Sequence, residues 1–438
     1  MMLHPSLSFF KQLIDTLTQK KIVMASLRYK PLEERVAFSG DYDFITSEEN
    51  IDAILEVLFA LATEARFNFV INRVKYGKTV ISLFGTSDAR PIILEIWTYL
   101  EVRFEKTLSY LFWEDVEPHI IYQEGIGYTL SLEFEALYYI SHLKTKKKDL
   151  TLPLIRERLD YYSEVLKEGY PEYRQWYRAL AADSSLRNEI GTKANSVLVE
   201  KGILFTAGDR AKAGMAKKLR LQISLHRIYS QWLRRMKITP VVGPDGVGKT
   251  SIINALKKRA RSKIKYYRFK NLFRHNFLYQ FSFPFLKRKL ETGVAKNQFD
   301  DIYGAWLVTI AWLRFPLLAL VTLLGKRFYF SDRFFHDLIL KDTRFPEKKA
   351  VLRGNWKALL KKTPRTFWFL HLDAPTEVVL SRKQELNGDA VDCYRSEVFR
   401  MYLEKPSRIY SYINTANPIE TCGDVLMQTA RNIGIKSR

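Results

Sequence analysis

Eight residues, Gly243 to Thr250 (GPDGVGKT), constrain this chain more than any other stretch. Gly243 and Gly248 bracket four residues, and Lys249-Thr250 follow at once, which is the spacing of a phosphate-binding loop. Before it, Ile238-Thr239-Pro240-Val241-Val242 reads as a buried strand; after it, Ser251 to Lys258 reads as the start of an amphipathic helix. Glycine lets backbone N–H groups curl around phosphate oxygens, and the helix start adds its positive dipole end. Gly243, Asp245, Gly246, Gly248, Lys249, Thr250 and Ser251 are the expected lining of that cradle. Lys249 would reach the β- and γ-phosphates, and the Thr250 hydroxyl would ligate Mg²⁺, so the implied ligand is ATP with magnesium. Pro240 is out of place, because it removes a ladder donor from what should be a central strand.

Length and charge set the frame around this loop. A chain of 438 residues suggests two domains of ordinary size, and 47% hydrophobic content suffices for two packed cores. Residues 1–200 hold 24 Lys and Arg against 29 Asp and Glu, or −5; the remainder holds 46 against 18, or +28. The positive charge therefore accompanies the loop, where it suits a polyphosphate, an anionic second substrate, nucleic acid or an anionic membrane face. Two cysteines, Cys393 and Cys422, fit a reducing cytoplasm without a disulfide framework, and no His/Cys cluster has zinc spacing. The first residues read as an amphipathic helix rather than a signal peptide.

The expected fold is α/β throughout. Residues 1–30 read as helix then strand, Val36 to Thr46 as strand, Asn50 to Thr63 as helix, and Phe67 to Val74, Thr79 to Phe84 and Pro91 to Trp97 as strands. This gives a small domain over 1–130 and a helical extension over 131–206. A basic linker or helix over 207–235 follows, within which Ala207 to Lys218 loses the apolar period. Strand–helix alternation over 236–438 predicts a parallel sheet with helices on both faces. Residues 302–325 carry one charge, Arg314, over a length close to a bilayer span, but Pro316 interrupts them and a strand follows directly. A transmembrane helix, a membrane-surface helix (a peripheral contact with the inner membrane face) and a buried core helix all remain open for this segment.

The C-terminal part resembles thymidylate kinase-like P-loop phosphotransferases. The loop has the Gly-x-Asp-Gly-x-Gly-Lys-Thr form of that family, and Phe328-Tyr329-Phe330-Ser331 runs into Asp332-Arg333 with Phe334 after it. A later strand, Phe367 to Leu372, leads to Asp373-Ala374-Pro375 and to a helix ending in Ser381-Arg382-Lys383-Gln384-Glu385, similar to the entry of the family's arginine-bearing lid. The resemblance implies that Asp332 lies beside metal and phosphoacceptor, that Arg333 contacts phosphate, and that Ile413 to Pro418, with Asn417, holds adenine. Phosphoryl transfer itself asks for positioning and cationic clamping, for which Lys249, Arg333 and Arg382 are suitably placed in sequence. The plainer alternatives are a surface ion pair at Asp332-Arg333 and a solvated helix end at Arg382-Lys383. The family's acceptor loop has no counterpart here; Arg268 or Arg274 are candidates for an anionic acceptor. The apolar 302–325 segment resembles one in kinase-like relatives that accompany bacterial surface-polysaccharide genes, which implies a sugar, glycan or lipid-linked acceptor.

In the N-terminal part, Ser39-Gly40-Asp41-Tyr42-Asp43-Phe44 places Asp41 and Asp43 on one face of a strand, and Glu95 intrudes on the apolar run Ile92 to Trp97. The arrangement resembles the nucleotidyltransferase fold, whose paired aspartates and later carboxylate hold metals; that likeness makes Asp41, Asp43 and Glu95 metal ligands. The family's Gly-Ser turn has no clean counterpart, and an Asx-type turn is the competing reading. The leading expectation is an ATP- and Mg²⁺-dependent kinase with an appended nucleotidyltransferase-like domain, active or not. A nucleic-acid-binding ATPase, suggested by the basic, aromatic run Lys263–Lys289, is the alternative from another class.

Overall fold

The computed structural model of the chain describes residues 5–27, 41–85, 91–104, 107–124, 126–166, 169–204, 210–262, 264–269, 296–325, 327–340, 352, 355–383 and 387–436. Readings that fall on 28–40, on 270–285 (Lys270, Arg274 and His275 among them) and on Gln384-Glu385 lie outside them. The chain is α/β with mixed, mostly parallel sheet. It divides into two compact units, residues 1–58, 75–81 and 90–225 in one, 59–74, 82–89 and 226–438 in the other.

The first unit begins with α1 (Pro5–Gln19), which buries Phe9, Phe10, Leu13, Ile14 and Leu17, the face its periodicity defines. Along the chain then follow β1 (Ala25–Ser26), β2 (Asp41–Ile45), α2 (Asn50–Glu64), β3 (Asn68–Lys75), β4 (Lys78–Phe84), β5 (Ile92–Trp97), β6 (Tyr99–Phe104), β7 (Thr107–Phe112), β8 (Ile120–Gln123) and β9 (Gly127–Leu130). Of these, the end of α2, β3 as far as Val74 and the end of β4 fall in the second unit. Within this unit the strands lie in the order β5-β2-β1-β9-β8, with β2 parallel to β5, while β6 and β7 form a separate hairpin. Four helices follow: α3 (Leu132–Thr145), α4 (Pro153–Val165), α5 (Pro171–Ala182) and α6 (Arg187–Glu200). The Ser131 hydroxyl caps α3 by accepting from Phe134 N at 3.4 Å. Phe134, Leu137, Leu159, Tyr177 and Leu198 fill one core with the strands, and the buried Tyr177 hydroxyl donates to Ala136 O at 2.7 Å.

The next element, α7 (Arg210–Arg235), corrects the expected connection at Ala207 to Lys218: the chain is helical from Arg210 onward. Ala, Lys, Arg and Leu sustain a helix by propensity alone, so loss of the apolar period did not mean loss of structure.

The second unit places β10 (Ile238–Val242), buried along its whole length, near the middle of its sheet. α8 (Lys249–Arg259), β11 (Ile264–Arg268), α9 (Lys296–Leu324), β12 (Phe328–Asp332), α10 (Phe335–Ile339), α11 (Trp356–Lys362), β13 (Trp368–Asp373), α12 (Thr376–Arg382), α13 (Gly388–Glu404), β14 (Ile409–Asn414) and α14 (Ile419–Asn432) follow. The sheet order is β11-β12-β10-β13-β14-β3, with the first five strands parallel and β3 antiparallel against β14. From β10 the chain fills positions on the β12 side, then crosses to β13 and β14 on the other. The carboxyl end of β10 is therefore a topological switch point, where open α/β sheets leave a crevice for ligands.

Pro240 fits this sheet by its parity. Lys237 O and Val241 O accept from Tyr329 N and Arg333 N of the β12 side, so Pro240 faces β13. Pairing with β13 begins only at Val241 opposite Leu370, and the missing donor falls just before that ladder starts.

Residues 302–324 lie in α9, which is long and apolar enough to cross a membrane by length and composition. Its apolar window Gly304–Leu324 has mean hydropathy 2.1 and is 39% buried. Leu307, Val308, Ala311, Phe315 and Ala319 are buried, with Phe315 edge-on to Phe334 and Phe335 at 6.0 and 5.9 Å; the opposite face is exposed.

Candidate phosphate-binding site

The loop after β10 has to turn sharply between a central strand and a helix, and three glycines absorb that turn. Gly243 (φ 152°), Gly246 (φ 93°) and Gly248 (φ 90°) all adopt conformations that L side chains avoid. A Cβ on Gly243 would stand 2.3 Å from Leu372 O, so the loop backbone presses directly on β13. A Cβ on Gly246 would meet Lys383 Cβ at 3.0 Å and Val379 O at 3.2 Å, which puts α12 against the other flank. Lys249, buried at the start of α8, turns back along the loop: its ammonium donates to Gly243 O at 2.8 Å and Pro244 O at 3.0 Å, 3.3 Å from Asp245 Oδ1. Burial holds its pKa below the ordinary lysine value, with Asp245 opposing. Thr250 and Ser251 are exposed on the first turn of α8.

Cations from three elements meet at this loop. Arg333, with φ 67°, donates its backbone N to Val241 O at 3.0 Å and sets its guanidinium 2.7 Å from Asp245 Oδ2 and 3.8 Å from Asp337 Oδ1. Lys383 Nζ lies 3.8 Å from Asp245 Oδ2. Burial alone would raise the Asp245 carboxyl, but Arg333, Lys249 and Lys383 prevail and hold it below the usual carboxylate range. One carboxylate thus shares three cations, whose positive excess favours a polyanion. Arg382 donates to Thr415 Oγ1 and Thr415 O at 3.3 Å each, with Nη1 3.9 Å from where a Gly248 Cβ would lie; Thr415 Oγ1 donates in turn to Val247 O at 2.7 Å. Arg382, exposed at the end of α12, is therefore tethered beside the loop by Thr415.

A second carboxylate supports the loop from beneath. The Tyr394 hydroxyl accepts from Gly243 N at 3.2 Å and donates to Asp337 Oδ1 at 2.9 Å. Burial raises Asp337, against the pull of Arg333, Tyr394 and Lys249.

Asp332, at the end of β12, and Thr250, at the start of α8, both act on the Tyr266 hydroxyl of β11. Burial first, then the Asp332 charge, raises the Tyr266 pKa, and this phenol stays protonated. Asp332 Oδ1 is buried and has no hydrogen-bond partner among the described residues. An unsatisfied carboxylate oxygen of this kind fits the oxygen-only preference of Mg²⁺. Asn417, two residues past Thr415, donates its amide to Arg66 O at 3.0 Å and lies 3.4 Å from Asn68 Oδ1.

In the first unit, register puts Asp41 opposite Ile93 and Asp43 opposite Glu95. Asp41 and Asp43 share a face and Asp43 neighbours Glu95, but Glu95 Oε2 is 2.6 Å from Lys78 Nζ. Among the described residues no three His, Cys, Asp or Glu side chains lie close enough together to hold a metal ion.

Sequence reasoning did not single out Tyr266 or Tyr394 as site residues, and it marked Thr415 only as part of the segment Ile413 to Pro418. Each is an ordinary polar residue in a strand, a helix or a tail, and only the sheet order brings it to the loop. No family model matches the chain, and no curated protein matches it.

Proposed function

We propose that the second unit is an ATP- and Mg²⁺-dependent phosphotransferase of the thymidylate kinase-like, P-loop type. The observation that carries this reading is the gathering of Lys249, Arg333 and Lys383 on Asp245, with Arg382 alongside, at the carboxyl end of β10. In this reading the N–H groups of Gly246 to Thr250 cradle the β-phosphate, and Lys249 exchanges its loop carbonyls for phosphate oxygens. Arg333, Arg382 and Lys383 clamp the transferred group, whose charge spreads over its oxygens as transfer proceeds. Thr250 and Asp332 would hold magnesium, which when bound would neutralise phosphate charge. Asp332 also orients the acceptor and draws off its proton.

The acceptor we propose is a nucleotide or a sugar, glycan or lipid-linked group, with surface-polysaccharide synthesis as the setting. In the first unit the Asp43–Glu95 neighbourhood supports a nucleotidyltransferase-like reading only as far as a carboxylate pair, since Lys78 engages Glu95.

The test is transfer of label from γ-labelled ATP to a panel of such acceptors. We expect Mg²⁺-dependent transfer that falls at least a hundredfold in Lys249→Ala; undiminished transfer in a folded Lys249→Ala protein contradicts the mechanism.

A further inference from the structure

Away from the phosphate site, the outward face of α7 is apolar where a surface helix is ordinarily polar. Leu221, Leu225, Ile228 and Trp232 follow one another at spacings of four, three and four, and are 59%, 56%, 65% and 49% exposed. Leu219, Ser230 and Leu233 are buried on the opposite side, so this stripe is not the helix's core face. The 26 residues of α7 include eight Lys or Arg and no Asp or Glu. Lys217 and Lys218, four and three residues before Leu221, and Arg235, three after Trp232, are exposed and flank the stripe at both ends.

A second exposed stripe ends beside the first. On α9, Trp312, Leu313, Leu317, Leu320, Val321 and Leu324 are between 49% and 81% exposed. Lys237, two residues past α7, donates its ammonium to Gly325 O, one residue past α9, at 2.6 Å. The two helix ends therefore meet where β10 and β12 begin, the edge opposite the phosphate loop.

We propose that α7 is a membrane-docking helix that lies along an anionic bilayer surface, with its leucine, isoleucine and tryptophan side chains at the headgroup–acyl boundary and its cations on lipid phosphate. An apolar face combined with a wholly basic polar face is the pattern of an interfacial helix. Charge decides among the occupants. A second copy would set the exposed cations of one helix, Lys217, Lys218 and Arg235 among them, against those of the other. A nucleic acid would satisfy the cations but leave Leu221, Leu225 and Ile228 in water. An anionic lipid surface satisfies both halves of the helix, and the α9 stripe extends the apolar contact.

The experiment is flotation of the full chain with phosphatidylcholine vesicles, and with vesicles carrying about one third phosphatidylglycerol. The expected result is partition into the anionic vesicles that weakens at least tenfold on neutral ones and declines with salt. Each Lys near an anionic surface is worth about a fivefold change, so Lys217→Gln with Lys218→Gln should weaken partition about twenty-five-fold. Leu225→Glu with Ile228→Glu should abolish it, with melting temperature and Mg·ATP binding unchanged because these side chains are exposed. The proposal is overturned if the wild type stays with the soluble fraction at low salt. It is equally overturned if Leu225→Glu with Ile228→Glu floats as before, if the stripe instead holds a dimer that these changes dissociate, or if single-stranded oligonucleotides bind through Lys217 and Lys218 while vesicles do not.

Discussion

Gly243 carries two constraints at once: its N–H is held by the Tyr394 hydroxyl, and Leu372 O occupies the space of any Cβ. Gly243→Ala adds backbone strain and a backbone clash, each about 1–3 kcal/mol, and should lower stability by about 2–5 kcal/mol. Tyr394→Phe leaves Asp337 and Gly243 N short of a partner in a buried site, and should cost about 1–3 kcal/mol. Urea midpoints of the two variants check the pair, and an alanine at 243 as stable as the wild type would contradict the packing. The same site shows what a sequence exposes at the scale of residues. GPDGVGKT is legible because its chemistry is contiguous and only glycine suits its turns. Tyr394, 151 positions beyond Gly243, sits in an amphipathic helix like many others, and nothing local marks it. Asp332 was legible from the switch of an apolar strand into Asp-Arg. Its link to Thr250 was not, because Tyr266 comes from the neighbouring strand β11.

At the scale of elements, β14 and α14 enclose the thiol of Cys422, which faces Asn414 O at 3.4 Å. Burial pushes this thiol up to about 12, whereas Cys393 on α13 is only half-buried. A thiol reagent at pH 8 should therefore modify at most one cysteine in the folded protein, Cys393, and both once it is unfolded. Rapid modification of Cys422 without unfolding would show that α14 opens readily. The strands β10, β12 and β13 were legible because buried parallel strands read as unbroken apolar runs. Short strands such as β8 and β9 give no such signal, and the first turns of α7, Arg210 to Lys218, hid because they carry no apolar period. The pairing of β3 was out of reach altogether: Phe69 opposite Tyr412 joins positions far apart in sequence, and no local pattern encodes that register. This is why residues 59–74, expected with the N-terminal domain, cluster with the second unit.

Taken as a whole, the molecule concentrates +28 of charge in residues 201–438 and keeps two histidines neutral inside the second unit. His336, between Phe334 and Phe369, and His371, hydrogen-bonded through Nδ1 to the Tyr410 hydroxyl at 2.7 Å, are each pushed down to about 3 by burial, with Lys405 and Arg395 respectively adding to the effect. The unfolded chain protonates them near 6.5 while the folded chain does not, so their contribution is complete above that pH and lost as pH falls toward 3. At pH 5 each should lower stability by about 2 kcal/mol relative to neutral pH. His371→Gln should therefore narrow the gap between melting temperatures at pH 7 and pH 5; an unchanged gap would place the acid sensitivity elsewhere. The proposed ligand, a polyphosphate nucleotide, rests on the switch-point geometry and the loop chemistry. Calorimetric titration of the full chain with Mg·ATP tests this most directly. The account predicts saturable binding with Kd between about 1 μM and 1 mM, the ordinary range for enzyme substrates, weakened at least tenfold by Lys249→Ala. No heat of binding at several millimolar Mg·ATP, or equal affinity in a folded Lys249→Ala protein, would contradict it.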